Sequence, residues 1–254
     1  MTRIRPTILT LCSFLFASTA TALTLTFDEV GFVHGSLVTD QYAGLSITAD
    51  NFNRSFDYAV AFDSNASHTR DPDLEAASGG LTSWSGGNLE GEDLGIMLII
   101  QENADGCSGD FVCNEPDDEG RRAAGTLTFD FGQTPVINFG FDLIDVESTT
   151  AENGSVTFFS GDDQLSISFM DLLVGFELGD NTANRILPFA PNFGDELDFT
   201  PAFDRIVIEL GGSGAIDNIT FTPVPQPSTA LLLLLGLTGL AGSGRRRRRA
   251  QPGC

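Results

Sequence analysis

Residues 127–144 read Leu-Thr-Phe-Asp-Phe-Gly-Gln-Thr-Pro-Val-Ile-Asn-Phe-Gly-Phe-Asp-Leu-Ile. Leu127, Phe129 and Phe131 alternate with polar residues, and after the Gly-Gln-Thr-Pro break Ile137, Phe139, Phe141 and Leu143 repeat the pattern. A period of two puts every second side chain on one face, so each half reads as a strand with a single apolar side. The same rhythm extends in both directions: Leu23 to Phe27 and Leu45 to Thr48 upstream, Val156 to Phe158, Leu165 to Phe169, Ile206 to Leu210 and Ala215 to Phe221 downstream. Tyr58 to Phe62 and Ile96 to Ile100 are continuous apolar runs, as strands buried on both faces are. Gly, Asp and Asn turns separate about ten short strands, and no amphipathic helical pattern interrupts them. The expected fold is all-β, a jelly-roll-like antiparallel β-sandwich. An immunoglobulin-like sandwich fits less well, because the strands are many and the central Trp/Cys pairing is missing.

The two ends have a different composition. Arg3 and Arg5 precede an apolar core, Ile8 to Ala17, and the small-x-small site Ala20-Thr21-Ala22. This is the layout of a cleavable signal peptide, residues 1–22, and it implies export. At the other end Val224-Pro225-Gln226-Pro227 leads into an apolar run, Ala230 to Ala241, and then into Arg245, Arg246, Arg247, Arg248 and Arg249. As a helix, 228–244 reaches about 25 Å, just enough to span a membrane with its arginines on the cytoplasmic side. These two ends bracket a sandwich domain, 23–222, from a tail, 223–254.

The tail resembles the PEP-CTERM sorting signal of Gram-negative bacteria: a Pro-x-Pro box (Pro225, Pro227), a Leu/Gly-rich transmembrane helix and a basic cluster. Gln226 stands where the family usually carries Glu. The resemblance implies transient inner-membrane anchoring, processing near the box by an exosortase-type membrane protease, and release to the cell surface or extracellular matrix. It also implies a setting of exopolysaccharide and biofilm. An ordinary C-terminal membrane anchor would show the same helix and arginines.

Charge narrows the function further. All 35 acidic residues lie between Asp28 and Asp217, facing only six arginines and no lysine, so the body carries a charge near −29. Such a surface excludes non-specific nucleic-acid binding, which needs cations to displace counterions. It also repels itself, and bound divalent cations relieve that repulsion.

Two acidic groups suit Ca²⁺. The first joins Asp28, after the first strand, to Asp217 on the last. It looks like the terminal-strand calcium site of jelly-roll carbohydrate-binding modules. The second is Asp63 and Asn65 with Asp71, Asp73 and Glu75. Alternate carboxylates along an extended loop can point to one side, although an Asx-rich turn would use the same residues. Ala61 to Glu75, Leu98 to Glu102 and Pro116 to Glu119 resemble a recurring domain found ahead of PEP-CTERM tails, one without a known catalytic role.

Cys107 and Cys113 bracket a short Gly/Ser/Asp loop, and export permits a disulfide between them. Trp84, in a Gly-rich loop, is either a ligand-facing ring or a lid folded over the sandwich edge. The chain has 21 Phe against one Trp and two Tyr, which suits core filling better than sugar stacking. It contains no Gly-x-Ser-x-Gly, HExxH or P-loop, and His34 and His68 have no evident nucleophile partner. The chain therefore reads as a non-enzymatic exported protein. A calcium-dependent carbohydrate-binding module is the alternative, and a glycan hydrolase or lyase ranks third.

Overall fold

The computed structural model describes residues 20–76, 84–89, 92–103, 107–108, 112–118, 122–148, 150–191 and 202–225. Most of the signal segment, and the tail beyond Pro225 with Pro227 and Arg245 to Arg249, lie outside the described residues. In chain order the strands are β1 (Leu23–Leu25), β2 (Ser46–Asn51), β3 (Ala59–Asp63), β4 (Ile96–Ile100), β5 (Cys107–Ser108), β6 (Val112–Cys113) and β7 (Gly125–Asp130). They continue as β8 (Val136–Ile144), β9 (Ser155–Ser160), β10 (Asp163–Ser168), β11 (Ala183–Phe189), β12 (Arg205–Leu210) and β13 (Ala215–Pro223), with one short helix, α1 (Phe169–Leu172).

Two antiparallel sheets form the expected sandwich. One runs β11-β8-β13-β4-β3, with β1 also paired to β13; the other runs β10-β9-β12-β7-β2. Of the jelly-roll expectation, the two-sheet antiparallel layering is what the structure contains. Most inward positions are those the alternation marks; Leu23 is instead 49% exposed, and at the start of β8 Val136 takes the core place expected for Ile137, because Asn138, at φ 54°, shifts the register there. Leu127 and Phe129 of β7 and Ile206 and Ile208 of β12 meet Phe139, Phe141 and Leu143 of β8 and Ile216 and Ile219 of β13 in one apolar core. Phenylalanine dominates its centre: the Phe158 ring lies 5.1 Å from that of Phe203, 5.7 Å from Phe189 and 6.0 Å from Phe139.

The outer face of the first sheet is also covered. Val60 and Phe62 of β3, Met97 and Ile99 of β4, and Ile144, Ala183 and Ala215 pack under loop residues Leu74, Trp84, Leu89 and Cys113. That second apolar layer explains why β3 and β4 are continuous hydrophobic runs: both of their faces are buried. Trp84 is 1% exposed within this layer, so it is packing and not a ligand-facing ring.

Cys107 and Cys113 are direct partners on the β5–β6 hairpin, with Cα atoms 4.0 Å apart and the expected disulfide joining them. The Cys113 N–H donates to Gly35 O at 2.7 Å, which ties the hairpin to the loop before β2.

Candidate functional site

The terminal strands lie side by side, with Leu25 opposite Ile219. Phe27, at φ 61°, turns the chain out of β1 and delivers Asp28 to the edge of β4, where its Oδ1 accepts the Ile96 N–H at 3.0 Å. Gly95 makes room for this. Its φ is +60°, and a Cβ there would stand 2.6 Å from Asp28 Oδ1.

Asp217 is fully buried on β13, opposite Asp142 of β8. Asn218, at φ 49°, breaks the register beside it and donates through Nδ2 to Asp142 Oδ2 at 2.7 Å and to Asp217 Oδ2 at 2.9 Å. Arg185 of β11 holds Asp142 in a two-pronged ion pair. Asp217 has no such partner, and its Oδ1 is buried without a hydrogen bond. Burial first, then the charges of Asp142 and Asp28, pushes the Asp217 carboxyl up to about 9. Asp28 and Asp217 thus fall within electrostatic reach of each other.

The second acidic group is arranged differently from a one-sided row. Asp63 Oδ1 accepts the Asn65 N–H at 2.9 Å, and Asn65 Nδ2 donates to Asp93 Oδ1 at 2.8 Å, which is an Asx turn. Glu75 turns back onto Thr69, accepting its N–H at 2.6 Å and its hydroxyl at 2.7 Å. Asp73 stays at the rim, its carboxyl raised by burial and by the charges of Asp71 and Asp180. Asp71 goes inward, 1% exposed, and meets two acids that local spacing did not point to, Asp118 and Asp145. The signal that could have found Asp118 is Pro116-Asp-Asp-Glu119 itself, an acidic run. Among the described residues, no three or more His, Cys, Asp or Glu side chains already stand together as a metal-binding group.

Beside Asp142 a groove of about 290 Å³ is lined by Thr24, Arg185, Pro188, Asn218 and Thr220. It offers hydroxyl, amide and guanidinium groups on one surface.

The sandwich ends with β13 at Pro223. Val224 N–H still bonds Pro135 O at 2.9 Å, and Pro225 is exposed. Residues 223–249 match the family model of the PEP-CTERM protein-sorting motif. The PEP-CTERM motif implies an exported protein that is processed by exosortase, a membrane protein, after transient anchoring. The chain matches no curated protein and no solved structure.

Proposed function

We propose that this is an exported, non-catalytic β-sandwich of a Gram-negative bacterium, which an exosortase releases to the cell surface or extracellular matrix, where it associates with exopolysaccharide in biofilm. The observation that carries this reading is the junction. The sorting motif begins at Pro223, the last residue of β13, so a cut beyond Val224 removes the tail and leaves every strand in place. The sequence adds that the usual hydrolase motifs are missing. The test is cell fractionation of hosts with and without exosortase, with binding of the released protein to the host's own exopolysaccharide. Retention of the tailed form in the membrane without exosortase is the expected result; equal release from both hosts would overturn the reading.

A calcium-dependent carbohydrate-binding role is the second reading, and two features favour it. The groove beside Asp142 presents polar groups suited to sugar hydroxyls. Asp28 and Asp217, with Asp217 Oδ1 left unpartnered in the interior, fit a structural Ca²⁺ that would neutralise both. Extracellular modules hold calcium with dissociation constants of roughly 10⁻⁴–10⁻³ M. At a hundredfold excess the ion would add about 2.7 kcal/mol. Asp217→Asn should remove most of that gain. A glycan array read in Ca²⁺ and in EDTA tests the binding, and release of reducing ends from polysaccharide would show a hydrolase or lyase instead.

A further inference from the structure

Asp118, in the loop after β6, is 2% exposed. Its N–H donates to Asp71 Oδ2 at 3.3 Å, and its Oδ2 accepts a short hydrogen bond from the Gly214 N–H. Its Oδ1 is buried with no hydrogen-bond partner. The Asp71 carboxylate faces it, and Asp145 is the next acid in reach. Asp145 is 3% exposed, with Oδ1 bound by the Asn181 N–H at 2.6 Å and Oδ2 by the Ser213 hydroxyl at 3.2 Å. Three interior carboxylates therefore come from three separate loops. Among the described residues, no ion pair reaches any of them.

A buried carboxylate oxygen without a partner is costly, and two carboxylates in contact cannot both keep their charge unaided. In the metal-free chain a single proton shared by Asp71 and Asp118 settles that pair. A divalent cation between the two carboxylates settles it without the proton and gives Asp118 Oδ1 a partner. The donors are all oxygens carried on loops, which favours a hard ion with adaptable coordination over zinc or a strictly octahedral Mg²⁺.

We propose that Asp71 and Asp118 bind a Ca²⁺ ion through their facing carboxylates, with Asp145 as the neighbouring third charge. This site is independent of Asp28 and Asp217, whose acidic neighbours are different ones. The ion would tie together the segments at 71, 118, 145 and 214, and so hold the loop layer over the outer face of the first sheet.

Trp84 supplies a reporter. Its neighbour Ser85 donates its N–H to Asn181 O at 2.9 Å, and Asn181 in turn holds Asp145. Tb³⁺ added to the full-length chain should give luminescence on tryptophan excitation, and Ca²⁺ should displace it where equal Mg²⁺ does not. Asp118→Asn should weaken Tb³⁺ binding roughly tenfold or more, as expected for loss of a charged ligand, while Asp217→Asn leaves this signal in place. Folding of Asp118→Asn is checked by melting in EDTA; if that variant does not fold, Asp71→Asn replaces it. Trp84→Phe should remove the emission without removing Ca²⁺ stabilisation. Absence of sensitised emission in the wild type, or emission that Asp118→Asn leaves intact, would overturn the proposal. Loss of the signal in Asp217→Asn alone would assign the ion to the terminal strands instead.

Discussion

Arg185 and Asp142 face each other across β11 and β8, and the guanidinium holds the buried carboxylate with two hydrogen bonds of 2.8 Å each. Asp142 is fully buried, while the Arg185 side chain is 37% exposed. Removing the arginine would strand a buried charge. Arg185→Ala should therefore cost about 2–3 kcal/mol in urea unfolding, somewhat below the ~3–5 kcal/mol of a wholly buried pair because water reaches one partner. Arg185→Lys should recover only part of this, since a single ammonium cannot reproduce the fork.

The metal-free chain should lose stability as pH rises. Burial, followed by acidic neighbours, lifts Asp145 to about 8 and Asp217 to about 9, against an ordinary 3.8. Both carboxyls are thus held neutral in the folded state at pH values where the unfolded chain has released its protons. Their stabilising contribution is complete below about pH 4 and is lost progressively as pH climbs through 8 to 9. Melting temperature in EDTA should fall steadily between pH 5 and pH 9, and Asp145→Asn should flatten that slope. A melting temperature that rises with pH would contradict this.

The two halves of the disulfide should not be equivalent. Opening so short a loop costs about 2 kcal/mol in the chain-entropy model, and Cys107→Ser should show that cost alone. Cys113 is 1% exposed within the second apolar layer, so Cys113→Ser adds the burial of a hydroxyl there and should melt lower. Alkylation without reduction should label neither cysteine in the exported protein.

Intact mass of the exported protein should end between Pro225 and Ser228, without Arg245 to Arg249. Finding those arginines in the exported pool would refute processing at the box.

Much of the fold was written in the alternation. Val136 to Ile144 reads as one strand and is β8, and the apolar runs at 58–62 and 96–100 are the doubly covered β3 and β4. Periodicity did not show the short hairpin β5–β6 or, within the two main sheets, β11, Ala-Asn-Arg-Ile-Leu-Pro-Phe. Its Arg185 is spent on Asp142 and its register shifts before Phe189, so neither face keeps an apolar rhythm. The acidic sites divide the same way. Asp28 and Asp217 follow from the pairing of terminal strands, which a sandwich makes easy to anticipate. Asp71, Asp118 and Asp145 lie far apart along the chain, and only the covering loops bring them together. Treating 71, 73 and 75 as an extended row missed this, because the segment coils and Glu75 folds back onto Thr69.

The strand order has a consequence for biogenesis. β13 stands between β8 and β4 and also carries β1, so without it the first sheet is two unjoined ribbons, β11-β8 and β4-β3. Yet it is the last strand of the domain to be translated and to cross the membrane. A chain that emerges N-terminus first must keep those ribbons apart, with their apolar edges open, until residues 215–223 arrive. The sorting motif begins at Pro223 with no spacer, so the strand that closes the sandwich is also the one that adjoins the tail. A truncation that stops short of β13 would therefore produce an open, adhesive sheet and not a smaller version of the domain.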